Sequence, residues 1–285
     1  PPSASESKPS AVATVTIQVD ANNIITPVSK YLFGNNANIW MTQMVDQPAL
    51  INNITKLSPN IIRFPGGSIS GVYFWDAAKN QPPADAPGQI PDASGTLQDA
   101  GYWFGKNTEG WTCSLDSYYL MLQQTNSTGM ITVNYDYARY STAVDPVASA
   151  AHHAANWVRF DNGRTKFWEV GNESNGTWQA AFRINQSTNS DGQPLVMSGE
   201  LYGRHFKIFA DSMRKAASQI ASTIYIGAQL LAEAPANWWN NTDRFWNEGV
   251  FQQTANIPDY YIIHSYYTPY NTNSNAADIL ETATS

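Results

Sequence analysis

Residues 166–179 read KFWEVGNESNGTWQ, an apolar-rich run that halts at a glycine and then presents an amide and a carboxylic acid side by side. Phe167 to Val170 has the composition of a buried β-strand, Gly171 supplies the turn, and Asn172 and Glu173 stand where the strand ends. A carboxylic acid there, beside Trp168 and Trp178, is expected to have its pKa raised by partial desolvation and to serve as general acid and base. Asn172 next to it carries an amide able to donate to a ligand hydroxyl. The plain alternative is that Glu173 is a surface carboxylate or the first acidic residue of a helix.

Outward from this stretch, short apolar runs alternate with helical ones. The strand candidates are YLFGNNANI (31–39), NIIRFPGG (60–67), MITVNYDY (130–137), TIYIGAQLL (223–231) and YYIIHSYY (260–267). Between them lie PALINNITKL (48–57), LDSYYLMLQQT (115–125), PVASAAHHAANWVRF (146–160) and ELYGRHFKIFADSMRKAASQI (200–220), all with helical composition. Such alternation predicts an α/β fold with a parallel sheet, and strands ending in polar or Gly-rich residues fit a (β/α)8 TIM barrel. A doubly wound sheet competes, but FGNNANIW stands where its GxGxxG turn would be. Residues 13–20 form an additional N-terminal strand candidate, and the Pro/Ser-rich residues 1–12 read as a flexible N-terminus. Residues 77–110, rich in Pro, Gly, Asp and Gln, are expected to be a loop over the active face of the sheet. Only about six βα units are present between residues 13 and 285, whereas a barrel closes with eight strands. The expectation is therefore a barrel completed by a further C-terminal segment.

Composition narrows the partners. With 16 Lys+Arg against 23 Asp+Glu, a formal net charge of −7 and no basic cluster, a nucleic-acid partner is excluded. One cysteine among 285 residues rules out an internal disulfide and CxxC metal sites, and no apolar run approaches a membrane span. The chain carries 10 Trp, 15 Tyr and 26 Asn, and aromatic faces with amide edges are the chemistry that binds sugars. No cofactor is called for.

Two further stretches carry candidate chemistry. In NIIRFPGGSISGVYFWD, Arg63 emerges at a strand end beside Pro65-Gly66-Gly67, placed to hold a catalytic carboxylate ionised and oriented or else to form a structural ion pair. In DYYIIHSYYTPY, His264 and Tyr266 share one strand face, His264 to meet a substrate hydroxyl and Tyr266 a carboxylate. His152, His153 and His205 lie in helical stretches without metal-ligand spacing. Asp136 and Glu169 read as polar barrel-interior groups paired with Arg63 or tyrosine hydroxyls. Trp103 and Trp111, with Trp238 and Trp239, are expected to line an open cleft.

At RFPGGSISGVYFWD, GNESNGTWQ, ELYGRHFKIFADSMRKAA and YYIIHSYY, roughly residues 30 to 270, the chain resembles glycoside hydrolase family 51. That is the α-L-arabinofuranosidase and endoglucanase group of the retaining (β/α)8 glycosidases. The resemblance implies that Glu173 is the acid/base, Asn172 its substrate-binding neighbour, Arg63 the support of the nucleophile, and His264 with Tyr266 part of the glycone site. It places the nucleophilic glutamate at the end of the seventh strand, beyond residue 285; Glu233 is the internal alternative. Two positions depart from the family pattern: GNNANIW lacks the glutamate usual after the first strand, and Ser68 replaces the usual Asn after the PGG turn. Both bear on glycone recognition. The expected function is retaining hydrolysis of a polysaccharide or oligosaccharide, the alternative being a non-catalytic carbohydrate-binding protein on a degenerate barrel. Asn-x-Ser/Thr sites such as Asn53 and Asn126, with the Pro/Ser-rich start, point to an extracellular or periplasmic location.

Overall fold

The computed structural model describes residues 18, 20–189, 192–232, 240–265, 273 and 275–277. Six parallel strands form one sheet in chain order: β1 (Gly34–Asn36), β2 (Ile61–Phe64), β3 (Thr128–Val133), β4 (Thr165–Val170), β5 (Tyr225–Gln229) and β6 (Tyr260–Ile262). Neighbours in space are neighbours in sequence throughout, with no reversal of order, so the sheet curls as the arc of a barrel and is not doubly wound. The candidate N-terminal strand 13–20 lies almost wholly outside the described residues.

Helices α1 (Pro48–Leu57), α2 (Leu115–Thr125), α3 (Pro146–Asp161), α4 (Gly199–Gln219) and α5 (Trp246–Thr254) occupy five of the crossovers. Their ends follow local chemistry. Ser114, Asp145 and Ser198 accept backbone N–H bonds as N-caps of α2, α3 and α4, Pro48 and Pro146 open α1 and α3, and Asn126 and Asn162 close α2 and α3 in the left-handed conformation.

The main core lies between sheet and helices. On β4, Trp168 points outward and meets Trp157 of α3 edge-on at 6.1 Å, both rings fully buried. Phe64 of β2 stacks on Tyr118 of α2 at 4.4 Å. Residues of opposite parity face the barrel interior. Phe167 contacts Tyr31, Tyr225 and Tyr260 at 4.8, 5.5 and 6.2 Å, an aromatic floor at the N-terminal end of the strands. Above it lies a polar layer of Arg63, Thr132 and Glu169. At β1 the chain approaches β2 so closely that a Cβ on Gly34 would stand 2.7 Å from the Ile61 carbonyl oxygen.

The insertion at 77–110 is not a bare loop. Gln89–Pro91 and Leu97–Asp99 pair as an antiparallel hairpin, and Trp103–Phe104 pairs in parallel with Tyr73–Phe74. Ile90, Ala100 and Phe104 are buried, so this excursion owes its order to an apolar side packed on the domain. The scattered Pro and Gly of the sequence conceal that side. Among the described residues, no helix is long and apolar enough to cross a membrane.

Candidate active site

The polar layer is built from strand residues that the register brings together. Thr132 of β3 lies opposite Glu169 of β4. The Glu169 carboxylate, only 3% exposed, accepts at Oε2 from Arg63 Nε at 2.6 Å and from the Thr132 hydroxyl at 2.7 Å. Arg63 Nη2 then donates to Asn172 Oδ1 at 2.9 Å. Glu169 is thus the interior group expected from its position, paired with Arg63. Asp136 is not: it lies beyond the end of β3, contacts neither Arg63 nor a tyrosine hydroxyl, and faces the Ala181 and Ala180 backbone N–H groups without an aligned hydrogen bond. Burial pushes its pKa up to about 7.

Beyond Val170 the backbone turns sharply. Gly171 has φ +78°, and a Cβ there would come within 2.8 Å of Ser174 Oγ and Tyr135 Cβ, so only glycine fits. Glu173 itself sits at φ +45°, a left-handed conformation that costs a non-glycine residue about 1–2 kcal/mol. The turn is held from β5: Gln229 Oε1 accepts from the Ser174 N–H at 2.8 Å while its Nε2 donates to the Val170 carbonyl at 3.1 Å. Tyr202 of α4 donates to the same carbonyl at 2.8 Å. A strained backbone so thoroughly pinned is the signature of a side chain that must point one way.

The Glu173 side chain, 24% exposed, accepts at Oε1 from His264 Nδ1 at 2.7 Å, His264 lying two residues past β6. This bond is the largest influence on Glu173 and holds its carboxyl below the usual range; desolvation opposes it, and Trp178 and Arg63 add smaller downward pulls. Both the raised pKa and the cause expected from sequence are therefore corrected. Trp168 is buried on the far side of β4, and the histidine outweighs burial. His264 also differs from expectation in having Glu173, not a free substrate position, at its Nδ1.

Arg63, Asn172, Glu173, His264 and Trp178 thus form one cluster, with Trp178 59% exposed at its edge. Trp103 and Trp111 belong to a second group: their rings stand 5.8 Å apart, and Trp40, in the loop after β1, lies 6.3 Å from Trp103. Trp40 and Trp111 are each about half exposed, giving a shelf of three indoles. Trp40, Thr132 and Gln229 escaped the sequence reading. Thr132 was detectable by its inward parity in MITVN; nothing in sequence pairs Gln229 with a turn 55 residues away. Ser68 accepts from Gln179 Nε2 at 3.1 Å, joining the loops after β2 and β4. Tyr266, Glu233, Trp238 and Trp239 lie outside the described residues. Among those described, no group of three His, Cys, Asp or Glu side chains is arranged to hold a metal. His205, buried and bonded to Tyr135, has its pKa pushed down to about 3 by burial.

Residues 53–279 match the family described as the α-L-arabinofuranosidase 1 domain. An intracellular exo-α-(1→5)-L-arabinofuranosidase of Streptomyces lividans is 23% identical over 228 residues, covering 76% of this chain and 29% of that protein. The enzyme of the same name from Acetivibrio thermocellus is 24% identical over 239 residues, covering 81% and 40%. The chain therefore spans less than half the length of these curated relatives. The family 51 α-L-arabinofuranosidase of Bifidobacterium longum shares the fold at TM-score 0.52 and 16% identity, covering 88% of this chain and 47% of that one. The GH51 arabinofuranosidase of Xanthomonas axonopodis pv. citri does so at 0.53 and 17%, covering 90% and 51%.

Proposed function

The chain belongs to the α-L-arabinofuranosidase 1 domain family, and from that membership we propose that it carries the acid/base half of a retaining glycosidase site acting on arabinofuranosyl-containing oligosaccharides or polysaccharides. The observation that supports this most directly is Glu173: a carboxylate at the end of β4, aimed by a pinned left-handed turn, with Asn172 and His264 beside it. In the proposed reaction Glu173 protonates the departing glycosidic oxygen as a second carboxylate attacks the anomeric carbon. Glu173 then takes a proton from the water that hydrolyses the glycosyl-enzyme. Retention requires the two carboxyl groups about 5–5.5 Å apart. A closed eight-stranded barrel needs two more strands between β6 and β1, and we place the attacking carboxylate, with Arg63 as its support, on that closing arc. The His264 bond holds the Glu173 carboxyl below the usual range, the opposite of what a proton donor needs; in the proposed reaction the attacking carboxylate about 5–5.5 Å away would raise it. Asn172 and Trp178 would meet the sugar bound at the cluster.

The shelf of Trp40, Trp103 and Trp111 favours a polymeric substrate, since stacked indoles bind successive rings of a chain. An endo-acting glucanase would use the same shelf, and a product profile on arabinan, arabinoxylan and β-glucan separates the two. Both curated relatives carry the word intracellular in their names, so the extracellular or periplasmic placement rests only on the Asn-x-Ser/Thr sites and the Pro/Ser-rich start. Cell fractionation decides it. The decisive experiment is hydrolysis by the intact protein. Glu173→Ala is expected to lower kcat/KM on natural arabinosides by about 10²–10⁴. Binding without turnover in the unaltered protein would favour a carbohydrate-binding role instead.

A further inference from the structure

Glu169 touches no group at the mouth of the site, yet the site's geometry leads back to it. Its Oε2 takes both the Arg63 Nε–H and the Thr132 hydroxyl, and it lies one layer below Asn172 on the inner side of β4. The Nε and Nη2 hydrogens of an arginine lie on one edge of a rigid planar fork, so fixing the first fixes the direction of the second. In this chain the second points at Asn172 Oδ1. Oδ1 is an obligate acceptor for that donor, so the Asn172 amide, only 3% exposed, is held with its oxygen turned to Arg63 and its NH2 group turned the other way. An unanchored asparagine has two amide orientations, and only this one offers donors to a sugar oxygen. The far side of the guanidinium is restricted too: a Cβ on Gly66 would stand 3.4 Å from Nη1, so the fork sits against the turn after β2.

We infer that Glu169 is a positioning residue: seated by Thr132, it clamps Arg63 so that Asn172 presents its amide N–H groups, not its oxygen, to the bound sugar. This rests on the proposed glycosidase reading and goes beyond it, assigning a task to a buried side chain that contacts no substrate. Asn172 binds; Glu169 and Thr132 decide which way it faces.

The test measures affinity for an α-1,5-linked arabinotriose by calorimetry in the intact protein carrying Glu173→Gln, so that turnover plays no part. Onto that background go Glu169→Ala, Asn172→Ala, both together, Glu169→Gln and Thr132→Val. The expected result is about a tenfold loss for Glu169→Ala and for Asn172→Ala, with the double variant no worse than either alone, because each removes the same oriented donor. Glu169→Gln retains an acceptor for Arg63 and should bind within about threefold of the parent, a rescue that a role in charge balance alone would not give. Thr132→Val keeps the shape of the side chain and loosens the carboxylate, giving a smaller loss that also vanishes in the Asn172→Ala background. It serves where Glu169→Ala does not fold. Additive losses from Glu169→Ala and Asn172→Ala, or for Thr132→Val and Asn172→Ala in its place, overturn the inference and leave the glycosidase reading standing. Failure of the Glu173→Gln parent to bind, with no hydrolysis by the unaltered protein, overturns both.

Discussion

Asp136 shows how far one side chain's surroundings can depart from its type. Its carboxyl is buried against Gly71, where an added Cβ would come within 3.2 Å of Asp136 Cβ, and its pKa is raised from 3.8 to about 7. In the unfolded chain the group ionises near 4, while in the folded protein it keeps its proton until about 7. Between those values the folded state binds more protons than the unfolded one, so stability falls as pH rises across that window. Asp136→Asn is expected to abolish that part of the pH dependence, with thermal melts at pH 5 and 8 diverging from the parent mainly at pH 8, where the variant is the more stable. Glu173 has the opposite sign. Its pKa is depressed, so its contribution is present above the unfolded value and is lost as pH falls through the folded one. Both residues are visible in sequence as acidic groups near strand ends. Which shift each takes is not, because the burial of Asp136, which includes packing against Gly71 65 positions away, and the His264 partner of Glu173, 91 positions away, are both set by the fold.

Among the elements, α4 is the longest helix described, and Ser198 caps it by accepting the Leu201 N–H. Ser198→Ala should cost about 1 kcal/mol, read as a melting temperature lower by about 2–4 °C. The excursion between β2 and α2 matters for a different reason: it carries Trp103 and Trp111 to the Trp40 loop. If these indoles hold a polymer, Trp40→Ala and Trp111→Ala should each weaken binding of arabinan by about 3- to 10-fold in affinity electrophoresis, with little change in kcat/KM on 4-nitrophenyl α-L-arabinofuranoside. Equal losses on both substrates would place the shelf within the catalytic cluster. The helices and central strands were legible because their periodicity and caps are local. The hairpin at 89–99 was not, because its strands are three residues each and only burial against the rest of the domain stabilises them.

Across the whole molecule, the sheet grades from a protected centre to exposed margins. β3 and β4 pair on both sides and lie under helices, whereas β1 has three exposed residues and β6 pairs only with β5 among the described strands. Hydrogen exchange should accordingly be slowest at Ile131, Val133, Trp168 and Val170 and fastest at Gly34–Asn36, and uniform protection across all six strands would contradict this arrangement. The sequence by itself determined the alternation of strand and helix and the placement of Arg63, Asn172 and Glu173 at strand ends, because each follows from residue type and spacing along a few turns of chain, and its motifs carried the resemblance that the match over residues 53–279 bears out. Only the tertiary structure decided what those groups do to one another. The register of five strands, β2 to β6, brings Glu169 onto Arg63, turns Trp168 away from the site, and brings His264 onto Glu173. Hydrogen bonds and desolvation act over a few ångströms of space, and no local pattern encodes which distant side chains will share it.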